Sequence, residues 1–281
     1  MPELPEVETI RRSLDRLQLA GRVITDATVA WPRSVGGDPE TFRRAIAGRR
    51  VASSDRRGKY LLYHLDPAAV LTIHLRMSGR LYLVPRNEPA TGYERVTLQL
   101  DDDRELRFYD PRKFGRMTIA PQAAPGVALL GPEPLEDGFT LAGFANELGR
   151  RRRAIKPLLL DQTVVAGIGN IYADEALWQA QIHPLCRSDQ ISGRSVAALH
   201  SAVRDVLERG LRNHGTSLGT GKVNFVFPGT GYARNQEELQ VFRRTGLPCP
   251  RCGSTIERIV VAQRSTHLCP VCQIAPEESD R

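Results

Sequence analysis

Cys249-Pro250-Arg251-Cys252 and Cys269-Pro270-Val271-Cys272 restrict what this chain can fold into more tightly than any other feature. Two C-x2-C pairs separated by sixteen residues suit four thiolates at the corners of a tetrahedron, the arrangement of a zinc ribbon. Four cysteine ligands leave the metal no open position, so one structural Zn2+ is expected and the chemistry must lie elsewhere. A pair of disulfides is the competing reading of the same four residues. The fifth cysteine, Cys186, stands apart and reads as a packed thiol.

At 281 residues the chain exceeds the usual size of one domain, so two cores are expected. Thirty-nine Lys and Arg against thirty-two Asp and Glu give a net charge of +7, which favours a polyanionic partner without proving one. No apolar run reaches the roughly 18 residues of a membrane helix. The N-terminus is acidic and lacks the apolar centre of a secretory signal. A cytoplasmic protein with metal-bound or free thiols is the expectation.

The chain opens Met1-Pro2-Glu3-Leu4-Pro5-Glu6. Without Met1, Pro2 would present a secondary amine in a rigid ring. Free α-amines titrate near about 7.7–8.0, so a sizeable fraction is nucleophilic at working pH. Attack of such an amine on an aldehyde-level carbon gives an iminium, the chemistry that lysine Schiff bases use. Glu3 and Glu6 put two carboxylates within one turn of it, suited to general acid–base work. The plainer reading is that Pro2 and Pro5 only open a helix.

Periodicity supports that helix, because Val7, Ile10, Leu14 and Leu17 recur at three- and four-residue steps and Gly21 stands where a stop belongs. Asp38 as N-cap, Pro39 and Gly48 mark a second. Seven short alternating segments follow, 51–55, 59–65, 70–75, 80–84, 95–100, 105–109 and 116–119, and predict a β-sandwich or barrel over 1–120. Residues 121–137, with four prolines, read as a linker. Helices then dominate 138–238. One is capped by Thr140 and carries Leu141, Phe144 and Leu148. Another runs from about Ile171 to Gln181, and a third spans Ser195 to Asn213. The stretch 215–238 loses periodicity, which in so long a loop signals function or disorder. The ribbon occupies 239–273.

Three features point to nucleic acid. The turn Gly167-Ile168-Gly169-Asn170 precedes a helix, whose free N–H groups suit a phosphate, with Asn170 as its cap. A basic run, Arg150 to Arg153, adds charge with Lys156 just beyond it. Arg264-Ser265-Thr266, between the cysteine pairs, reads as a turn that meets phosphate. Each has a bland alternative: an ordinary Asn-capped turn, or a solvated charged face.

MPELPEVET at 1–9, GKYLL at 58–62, HLRMSG at 74–79, DPRKFG at 110–115, AIKP at 154–157, GIGNIYADEAL at 167–177 and QRSTHLCPVCQ at 263–273 occur in that order. Over nearly its whole length the chain resembles the bacterial formamidopyrimidine-DNA glycosylases, bifunctional base-excision enzymes. The resemblance implies an α+β fold: a β-sandwich with flanking helices, then a helix-two-turn-helix domain ending in a four-cysteine zinc finger. It implies removal of Met1, Pro2 as nucleophile, Glu3 as acid at the sugar, Lys59 assisting the first elimination and Arg264 the second. Met77, Arg112 and Phe114 would fill the gap left by a flipped nucleotide. Arg152, Lys156 and Asn170 would contact DNA, and 215–238 would cap the base.

Tyr93 stands where many relatives carry a phosphate-binding histidine. The expected partner is duplex DNA containing a damaged base, bound by a monomer. Two alternatives stay open: an endonuclease VIII-like enzyme for oxidised pyrimidines, and a non-catalytic zinc-ribbon DNA-binding protein.

Overall fold

Helix α1 (Leu4–Arg16) begins in a reciprocal cap: the Glu3 carboxylate accepts the backbone N–H of Glu6, and Glu6 accepts that of Glu3. Pro5 adds a preset φ in the first turn, where its missing N–H costs nothing. The helix stops short of Gly21. Gln18 takes a left-handed conformation (φ 57°), and Leu19 turns back into the core at 1% exposure. A buried leucine thus ends the helix before the glycine can.

The computed structural model describes residues 1–217, 226–227 and 231–276, with the backbone alone for 226–227 and 231–232. They divide into two units. One comprises Met1–Leu129 with the described part of Ser217–Ala233. The other comprises Leu130–Thr216 with the described part of Arg234–Arg281.

In the first unit the expected strands form: β2 (Arg50–Arg57), β3 (Tyr60–Asp66), β4 (Ala69–His74), β5 (Arg80–Pro85), β6 (Glu94–Leu100), β7 (Arg104–Tyr109) and β8 (Arg116–Ala120). An eighth, β1 (Ile24–Val29), was not anticipated, because a register shift between Ile24 and Asp26 breaks its alternation. The strands make two antiparallel sheets in the orders β1-β6-β7-β5 and β2-β3-β4-β8. Leu61, Ile73, Leu98, Phe108 and Met117 from both sheets join Val7 and Leu14 of α1 in one core. Helix α2 (Pro39–Ile46), capped by Asp38, adds Phe42 and Ile46. Short α3 (Pro125–Ala128) and the paired segments β9 (Val226–Phe227) and β10 (Gly231–Tyr232) complete this unit.

The second unit is helical. α4 (Leu141–Arg150) takes its cap from Thr140, and α7 (Gly193–Arg212) from Ser192. Between them lie α5 (Ile155–Leu160) and α6 (Asn170–Gln179). Every residue of α6 from Ile171 to Trp178 is buried, so it is the central helix of its unit. The ribbon adds the hairpin β11 (Glu257–Val261) and β12 (Arg264–Leu268). Its turn is Ala262-Gln263, both at positive φ. Arg264 therefore opens a strand paired with Val261, and is not in the turn itself.

Of the stretch 215–238, residues 218–225 and 228–230 lie outside the described residues. At its start Gly215 takes φ 81°. Farther along, the Asn235 amide donates to Thr216 Oγ1 at 2.8 Å.

Candidate active site and nucleic-acid interface

The capping box fixes the first residues of the chain. Glu3 N–H reaches Glu6 Oε2 at 2.8 Å, and Val7 N–H reaches the Glu3 carbonyl at 3.0 Å. Pro2, Glu3 and Glu6 are all buried. The Glu3 carboxylate thus lies at the positive end of α1, next in sequence to Pro2.

Lys59 follows Gly58 (φ 55°) in the two-residue turn of the β2–β3 hairpin and is nearly buried. On the neighbouring strand His74 pairs with Tyr60, whose ring meets it edge-on at 4.5 Å. Burial lowers the His74 pKa to about 3, assisted by the charges of Arg76 and Lys59. Its Nδ1 accepts the Arg76 N–H at 3.0 Å, so the ring stands neutral beside the lysine.

Met77 and Phe114 are 46% and 47% exposed at the ends of two loops of this unit. One buried residue connects those loops. Asp110, at 0% exposure, accepts the Ser78 hydroxyl and the Arg112 N–H (3.2 Å) on Oδ1, and the Gly115 N–H (2.7 Å) on Oδ2. Gly115 is required there, since a Cβ would fall 2.2 Å from the Phe108 ring. The Arg112 guanidinium lies 5.1 Å from the centre of the Phe114 ring. Lys113, at φ 61°, turns its ammonium over Trp31 at 4.0 Å.

Tyr93 is exposed beside Tyr109 and accepts the Asp110 N–H on its carbonyl at 3.0 Å. Met77, Tyr93, Arg112 and Phe114 are therefore gathered about Asp110. In DPRKFG the organising residue is thus the aspartate, and not only Arg112 and Phe114. An acid at a strand end, five residues before a glycine, was the available signal.

In the second unit Gly169, not Asn170, caps α6, and Asn170 is its first helical residue. Asn170 Nδ2 donates to the Ser265 carbonyl at 2.8 Å. Arg152 and Arg264 are exposed, Arg152 lying 3.8 Å from Asp189.

Lys156 departs from expectation. It is fully buried, and its ammonium meets Asp174 Oδ1 (2.6 Å), Thr266 Oγ1 (2.7 Å) and the Ser265 carbonyl (3.0 Å). All of these partners lie inside the protein, so the ammonium is not presented to a phosphate. The AIKP lysine looked like one more cation of the Arg150–Arg153 run. Its neighbours Ile155, Leu158 and Leu159 bury it instead.

The four cysteine sulfurs lie within 4.8 Å of one another, with Cys249–Cys272 at 3.9 Å and Cys252–Cys269 at 3.4 Å. Zn–S bonds of about 2.3 Å place tetrahedral sulfurs about 3.8 Å apart, so the donors fit zinc. Hydrogen bonds from Ser254 hold the Cys252 thiol down at about 6. Helix α6 carries the ribbon: the Glu175 carboxylate accepts the N–H groups of Gln240, Val241 and Phe242 at 2.9 Å. The Trp178 indole donates to Cys249 Sγ at 3.4 Å, and Arg251 stacks on that indole at 4.2 Å.

Family models match in the same order as these parts. The formamidopyrimidine-DNA glycosylase N-terminal domain covers residues 1–117, its H2TH domain 130–221, and a zinc finger found in FPG and IleRS 246–274. The formamidopyrimidine-DNA glycosylase of Herpetosiphon aurantiacus is 50% identical over 97% of this chain and all of its own. That of Chloroflexus aurantiacus is 47% identical over the full length of both. Among solved structures, MutM in complex with carbocyclic 8-oxo-G containing DNA matches with a TM-score of 0.90 at 37% identity, covering 98% of this chain and 100% of that one. A point mutant of Lactococcus lactis FPG in complex with Fapy-dG containing DNA gives 0.89 at 36%, with the same coverage.

A sandwich with a held N-terminus, joined to an H2TH unit and a ribbon, defines a DNA glycosylase of base-excision repair. Within that class the chain belongs to the formamidopyrimidine-DNA glycosylase family. Its four cysteines are accordingly the ligands of one structural zinc. Among the described residues no helix is long and apolar enough to cross a membrane.

Proposed function

We propose that the protein removes oxidised purines from duplex DNA and then cuts the strand on both sides of the abasic sugar. The observation that carries this reading is the buried Pro2-Glu3 pair fixed by the Glu3–Glu6 cap in a chain of this family. Support for the lesion class comes from relatives solved with Fapy-dG and 8-oxo-G DNA.

With Met1 removed, the Pro2 nitrogen attacks the anomeric carbon of a flipped nucleotide. The glycosidic bond breaks and its electron pair leaves with the base, which gains a proton. Glu3 protonates the ring oxygen as the sugar opens, giving a cationic imine. That cation acidifies the adjacent carbon. Loss of a proton there, assisted by Lys59, expels the 3′ phosphate. A second proton loss farther along the conjugated chain expels the 5′ phosphate, which Arg264 receives. Water then hydrolyses the imine and returns the amine.

Met77, Arg112 and Phe114 occupy the vacated stack. Asn170, Arg152 and Tyr93 hold phosphates. Lys156 acts from within, on the backbone of β12. Residues 215–238 serve as the cap over the base, and the enzyme works as a monomer on cytoplasmic, nucleoid DNA.

Borohydride added during reaction with 8-oxoguanine duplex should trap a covalent complex through residue 2. Undiminished trapping in Pro2→Gly, with the link mapped to a lysine, would overturn the assignment.

A further inference from the structure

Resting on the role of Arg264 above, we infer that Asp174 is a positioning residue for the second strand cut, acting through Lys156 on the hairpin that carries Arg264. Asp174 and Lys156 are both 0% exposed, and their ion pair is 2.6 Å long. The other oxygen of Asp174 accepts the His267 backbone N–H at 2.9 Å and its ring Nδ1–H at 3.1 Å. Lys156 in turn donates to the Ser265 carbonyl and to the Thr266 hydroxyl oxygen. One carboxylate on α6 thereby holds three successive residues of β12. Thr266 relays the hold, its hydroxyl donating to the Arg264 carbonyl at 3.1 Å. Asn170, one turn earlier on α6, supplies a second donor to the Ser265 carbonyl.

The hairpin needs holding from outside. Its turn residues Ala262 and Gln263 sit at φ 47° and 60°, without the glycine or asparagine that settles in such a turn. A buried ion pair adds little net stability over apolar side chains of the same volume. The pair is better accounted for by the geometry it imposes. Arg264 itself is exposed and is the first residue beyond the turn, so its backbone position depends on this network. Misplacing a reacting group by about 1 Å can cost roughly a hundredfold in rate. Base removal and the first cut rely on Pro2, Glu3 and Lys59 of the other unit, so the loss should fall on the second cut.

The test uses full-length zinc-loaded enzyme and duplex DNA with one abasic site, with the once-cut and twice-cut products resolved over time. Lys156→Met/Asp174→Leu removes both charges together. It should keep zinc and melting temperature, yet slow the second cut relative to the first by roughly ten- to a hundredfold, approaching Arg264→Ala. A folded double variant with a normal product ratio would overturn the inference while leaving Arg264 in place. A normal ratio in Arg264→Ala would instead overturn the role of Arg264, and the inference with it. If the double variant loses zinc or melts early, Thr266→Val decides. It cuts the relay but keeps every charge, and a normal second cut there would be equally fatal.

Discussion

Each unit of this glycosylase holds a set of exposed side chains through one fully buried aspartate, and the two aspartates are satisfied in opposite ways. Asp110 is surrounded by neutral donors: a serine hydroxyl and two backbone N–H groups. Asp174 faces a buried ammonium, a backbone N–H and an imidazole. A carboxylate in a cradle of dipoles keeps most of its partners if its charge is lost. A carboxylate in an ion pair leaves a charge behind. The same residue type therefore makes an adaptable joint in one unit and an all-or-none one in the other.

The largest expected effect is on the ionic side. Asp174→Asn strands the Lys156 ammonium in the interior and should cost about 3–5 kcal/mol in urea unfolding. Asp110→Asn should cost less, about 1.5–3 kcal/mol, the range for hydrogen bonds to a charged group. Its activity should fall more on a paired lesion duplex than on an abasic one. Equal stability losses in the two variants would break the distinction between them. Phe114→Ala should barely move the melting temperature, within about 0.5 kcal/mol, because the ring is half exposed. It should still slow the paired duplex roughly ten- to a hundredfold, the loss of one base–aromatic stack of about 1–3 kcal/mol. Equal slowing on paired and abasic DNA, with lost stability, would place Phe114 in the core.

Much of the fold was legible because it obeys periodicity. Strand β5 buries every second residue, and α1 and α7 show apolar faces that recur every three or four residues. The cysteine spacing is itself the ribbon. Local pattern failed where tertiary contact decides. In α6 Asp174 and Glu175 are both buried, because the ribbon docks on that side and supplies backbone donors to each, which no local pattern encodes. Lys156 misleads in the same way, since nothing in AIKP says that two of its partners, Ser265 and Thr266, lie over a hundred residues away. Asp110 was invisible as an organiser because its partners are mostly backbone groups, which no side-chain motif encodes. Strand β1 was hidden by a bulge, and Gly21 drew attention from the left-handed Gln18.

The chain holds two tryptophans, and each lies against a part whose state matters. Trp31 lies under the Lys113 ammonium, in the loop that presents Arg112 and Phe114. Trp178 donates to a zinc-bound sulfur and stacks under Arg251. Intrinsic fluorescence is thus already partitioned between the two units without a label. In Trp31→Phe the remaining emission should follow chelation of the metal. In Trp178→Phe it should follow insertion of the loop into DNA, so one instrument can time both events in separate samples.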